Sequence, residues 1–107
     1  MTRPAEWQHL KMLHLKRAFE KFMAGESHLD ELRESNRCEL EALRASGIVE
    51  RVEIQGCRDS CPACFAFAGR EMNLTEALAK APLPVQGCTH GNHEGWCRCE
   101  YLAIMAT

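Results

Sequence analysis

Three cysteines near the middle of the chain have the spacing of a metal-binding turn. The stretch CRDSCPAC contains Cys57, Cys61 and Cys64, and two residues separate the last two cysteines. A gap of two residues lets both sulfur atoms converge on one ion while backbone amides point toward them. Cys61 and Cys64 are therefore the strongest candidate metal ligands in the sequence.

A second group of ligand-type residues lies further along the chain, in GCTHGNHEGWCRC (residues 87–99). Cys97 and Cys99 would face the same side of a strand, so both thiolates could reach one ion. Two ligand groups that bracket a short structural element are typical of a structural zinc site. We expect the other two ligands to come from Cys97, Cys99 and Cys88, with Cys97 first and the other two level. The substitutes are the neighbouring ligand-type residues His90, His93 and Cys57.

The chemistry expected of this site is structural. An all-thiolate set fills the coordination shell of zinc, whereas a catalytic zinc keeps one position open for water. The sequence contains no H-E-x-x-H, no H-x-E…P-C-x-x-C and no phosphate-binding loop. We therefore predict a protein that is not an enzyme. A thiol redox switch is a further alternative, although a thioredoxin-type Cys-x-x-Cys opens a long helix inside a larger βαβ fold.

Size and composition favour a small soluble protein whose core needs an additional stabilising element. The chain has 107 residues, which predicts one domain (1–107) with a modest core that a metal can reinforce. Its net charge of −2 gives no general attraction to nucleic acid or acidic membranes. Neither a signal peptide nor an apolar run long enough to span a membrane is visible. Seven cysteines, an odd number, favour metal over disulfides and a cytoplasmic location.

The N-terminal part, residues 1–47, predicts an antiparallel helical hairpin. Apolar residues at i, i+3 and i+4 spacing predict helices over 4–24 and 28–46, with Ser27 capping the second helix and Gly47 following it. The stripe of the first helix consists of Trp7, Leu10, Met12, Leu15, Phe19, Phe22 and Met23. The stripe of the second helix consists of Leu29, Leu32, Asn36, Leu40 and Leu43. Cys38 lies off that stripe, so we expect a free thiol that is exposed or partly buried.

The C-terminal part, residues 48–107, predicts a small zinc-binding β module. Alternating β-branched residues predict a strand over 47–56, and GWCRCEYLAIM predicts a second strand over 96–104. A short helix is predicted over 74–81, with Asn73 as its cap. The fold class expected from these elements is α+β: a helical hairpin packed on a zinc-stabilised β-hairpin with one short helix.

The cysteine-rich half also resembles a known motif. The run CPACFAFAGREMNL…APLPVQGC…GWCRC is similar to one near the C-terminus of Mu-like phage minor head (head-morphogenesis) proteins and in small uncharacterised bacterial proteins. The matching residues are Cys61, Cys64, Phe67, Gly69, the Pro82-Leu83-Pro84 step and Cys97-Arg98-Cys99. The match covers roughly residues 57–104, and a loop with Cys88, His90 and His93 replaces the His-Pro-Asn that usually precedes Cys-Arg-Cys. The resemblance implies a zinc-stabilised knot and a phage- or virion-related role.

The function expected from these features is protein binding or assembly. Apolar residues occupy more than one face of the first helix, so the hairpin is the expected contact surface, with self-association included. Nucleic-acid binding is the alternative, because zinc modules often serve it and basic residues lie on the first helix and near the cysteines. These basic residues are Lys11, Lys16, Arg17, Lys21, Arg51, Arg58, Arg70 and Arg98.

Overall fold

The structure of the protein is a computed structural model, which describes residues 3–55, 66, 68–83 and 100–105. These residues form three helices and a three-stranded sheet, which confirms the predicted α+β class. In chain order the elements are α1 (Pro4–Met23), α2 (Leu29–Ser46), β1 (Val49–Gln55), β2 (Glu71–Asn73), α3 (Leu74–Lys80) and β3 (Glu100–Met105).

The helices α1 and α2 pack against each other as the predicted hairpin. Pro4 occupies the first turn of α1, where its missing N–H removes no helical hydrogen bond. Gly47 ends α2 with φ of +76°, a left-handed conformation that glycine adopts without a steric cost. The prediction of Ser27 as the cap of α2 was wrong, since His28 takes that position and makes no capping side-chain hydrogen bond.

The sheet has the strand order β2-β1-β3, with both neighbouring pairs antiparallel. β1 and β3 are the two predicted strands, and the part of the second prediction before Glu100 lies outside the described residues. β2 was not predicted, because three residues of sequence Glu-Met-Asn are too short and too polar to show an alternating pattern. The β-hairpin expected from the sequence is therefore a three-stranded sheet.

The short helix α3 follows β2 directly and confirms its predicted cap. The Oδ1 atom of Asn73 accepts a hydrogen bond from the backbone N–H of Glu76 at 2.7 Å. This bond satisfies one of the N–H groups that a helix leaves without a partner in its first turn. Leu74 and Ala77 are buried, so α3 turns one face toward the core.

The hydrophobic core lies between α2, the sheet and α3. Its buried residues are Leu32, Leu40, Val49, Val52, Ile54, Leu74, Ala77, Leu83 and Tyr101. The hydroxyl of Tyr101 accepts a hydrogen bond from the backbone N–H of Leu83 at 3.2 Å, which ties β3 to the segment after α3. Burial raises the pKa of Tyr101 to about 12, so this phenol stays protonated at neutral pH.

Candidate functional site

The residues predicted to bind zinc lie outside the described part of the chain. This applies to Cys57, Cys61, Cys64, Cys88, His90, His93, Cys97 and Cys99. Within residues 3–55, 66, 68–83 and 100–105, no group of three or more His, Cys, Asp or Glu side chains is arranged to hold a metal ion. The zinc ligand set therefore stays a prediction.

The described strands show where the chain leaves β1 and where it enters β3. Gln55, the last residue of β1, pairs with Glu100, the first residue of β3. The backbone N–H of Gly69 donates to the carbonyl of Ile54 at 2.7 Å, so Gly69 lies at the same end. The chain therefore leaves β1 at Gln55, passes Gly69 and enters β3 at Glu100, all at one end of the sheet.

Cys38 was predicted to be an exposed or partly buried thiol, but the structure buries it. Only 5% of its surface is exposed, and it is a free cysteine. Burial raises the pKa of its thiol, and the negative charge of Glu34 adds to this effect. A protonated, buried thiol is a poor nucleophile and a poor metal ligand, so Cys38 acts as a small packing residue.

Cys38 belongs to a face of α2 that the apolar pattern alone did not reveal. The face repeats at steps of three and four residues, and its members are half-buried or buried: His28, Glu31, Ser35, Cys38 and Ala42. Ser35 Oγ donates to the backbone carbonyl of Lys11 at 3.1 Å, which directs this face toward α1. The small side chains along it suit two helices that approach each other closely. We call it the inner face of α2.

Polar contacts hold the two helices together at both ends of the inner face. Lys11 Nζ lies 2.9 Å from Glu39 Oε2. His14 Nδ1 lies 2.8 Å from Glu31 Oε2, and Lys21 Nζ lies 3.7 Å from Glu31 Oε1. These pairs bind carboxylates of α2 to basic groups of α1.

The environment of Glu31 favours its charged form. The hydrogen bond with His14 lowers the pKa of Glu31 most, and the positive charges of His14, Lys21 and Arg17 lower it further, while burial acts in the opposite direction. Glu31 is therefore an ionised link between the helices at neutral pH.

The side of α1 away from α2 is rich in exposed apolar groups. The exposed fraction is 58% for Met12, 55% for Phe19 and 68% for Met23. Met12 and Phe19, together with Leu15 and the stem of Lys16, line an open groove of about 400 Å³. The positions facing α2 are Lys11, His14 and Ala18, so α2 leaves these exposed apolar residues of α1 uncovered.

The features above describe a small α+β protein with an exposed apolar helix face. No family model, no curated protein and no solved structure matches the chain. The resemblance to phage minor head proteins thus stays a prediction. Among the described residues, no helix has both the length and the apolar character needed to cross a membrane.

Proposed function

We propose that this chain is a small, non-enzymatic zinc-binding protein whose helical hairpin binds other proteins. The observation that carries the binding role is the exposed side of α1, where Met12, Phe19 and Met23 are each more than half exposed. Clustered exposed apolar side chains of this size are typical of protein interaction surfaces. Methionine and aromatic residues are the types that such surfaces favour.

The zinc role rests on the cysteine spacing and on the pairing of Gln55 with Glu100, which are the last residue of β1 and the first residue of β3. Along the sequence, Cys57 follows Gln55 by two residues and Cys99 precedes Glu100 by one residue, which supports a ligand set drawn from both cysteine groups. A zinc site would reinforce a core that is otherwise small. Zinc held by thiolates fits a reducing, cytoplasmic location.

The alternative functions, which are nucleic-acid binding, a thiol redox switch and a virion role, have no comparable support. Two basic residues of α1 that a nucleic-acid surface would use, Lys11 and Lys21, lie against Glu39 and Glu31 of α2. The redox switch and the virion role rest on Cys61-x-x-Cys64 and on the motif resemblance alone.

Zinc binding is tested by elemental analysis of the purified chain and of single cysteine variants. We expect one equivalent of zinc in the unaltered protein and its loss in Cys61→Ser, Cys64→Ser and Cys97→Ser. Whichever of Cys88→Ser and Cys99→Ser still holds a full equivalent identifies the spectator cysteine. The matched control is Cys38→Ser, which removes a buried thiol without changing the zinc content. Full zinc content in both Cys61→Ser and Cys64→Ser would contradict the metal site.

Protein binding is tested separately by affinity capture from an extract of the organism that makes the protein. The bait is the zinc-loaded chain, compared with Met12→Glu, which places a charge in the exposed apolar groove. Leu10→Glu is the matched control, because Leu10 is 38% exposed on another side of the same helix. We expect a protein that is retained by the unaltered chain and by Leu10→Glu and is lost with Met12→Glu. Retention that is equal for all three baits, with no self-association of the chain, would contradict the binding role.

A further inference from the structure

We draw no further inference here: the strongest candidate, the open apolar groove of α1 lined by Met12, Leu15 and Phe19, belongs to the binding surface already proposed, and nothing in the structure shows what covers it.

Discussion

The two sides of α2 are packed by different means. One side carries Leu32 and Leu40, which are buried against the sheet and α3. The other side carries Ser35, Cys38 and Ala42, which are buried against α1. The first contact is a hydrophobic core. The second combines small side chains with charged and hydrogen-bonded pairs, such as Lys11 with Glu39.

This difference in packing indicates which of the two helices is held more strongly by its contacts with the rest of the chain. Burial of large aliphatic side chains stabilises a contact by about 1.5–3 kcal/mol each, whereas partly exposed ion pairs contribute about 0–1 kcal/mol. α2 is therefore fixed by the core. α1 is held by small side chains, polar pairs and the half-buried Leu15, while Met12, Phe19 and Met23 stay exposed. A helix of this kind gains stability when a partner covers its exposed side.

The largest change in the free energy of unfolding is expected on the side of α2 that carries Leu32 and Leu40. Leu40 is fully buried, so Leu40→Ala should lower the free energy of unfolding by about 2–5 kcal/mol through lost burial and a cavity. Urea unfolding of the zinc-loaded protein measures this change. Leu10→Ala is the control, and it should cost less than about 1 kcal/mol because Leu10 is partly exposed. Equal losses in both variants would contradict the assignment of Leu40 to a buried core.

A smaller loss of stability is expected on the inner face of α2, where the narrow space between the two helices limits the size of the side chains. Cys38→Leu adds volume between the two helices and should cost about 1–3 kcal/mol through overpacking. Arg37→Leu places the same side chain at the neighbouring exposed position and should change stability by about 0.5 kcal/mol or less. Urea unfolding compares the two. A stabilised Cys38→Leu protein would mean that the helices do not approach closely there.

The smallest effect concerns the charged link between Glu31 and His14. Because the pKa of Glu31 is lowered in the folded chain, its contribution is present above the ordinary value of 4.5 and is lost as the pH falls through the lowered value. Glu31→Gln should therefore be less stable than the unaltered chain by about 0.5–1 kcal/mol at neutral pH. The difference should vanish in strong acid.

Unfolding curves at several pH values measure this difference, and Glu34→Gln is the matched control. Glu34 lies on the same helix, is about half exposed and pairs only at 3.7 Å with Arg37. Acid affects any bound zinc in all variants alike, so only the difference between Glu31→Gln and Glu34→Gln is informative. A difference that grew toward acid would show that Glu31 is not stabilised as a carboxylate.

Local sequence signals were sufficient for most of the elements. Gly47 and Asn73 mark a helix end and a helix start through their own backbone and hydrogen-bonding preferences, and both predictions are confirmed. The strand β2 is formed by pairing with Val52 and its neighbours and not by its own pattern, so three polar residues gave no signal.

The faces of the hairpin were harder to predict because they depend on both helices at once. An apolar pattern on more than one face of α1 does not show which face meets α2, and the structure places the small Ala18 there while Met12 and Phe19 stay exposed. The repeat through Ser35, Cys38 and Ala42 was present in the sequence and would have identified the inner face. The metal ligands stay predictions, since all of them lie outside the described residues.

Hydrogen–deuterium exchange, read residue by residue, tests most directly the claim that the core holds α2 more firmly than the hairpin contact holds α1. The account predicts that amides of α1, such as that of Ala18, exchange faster than those of α2, such as that of Leu40. Equal protection of the amides of both helices would contradict this claim.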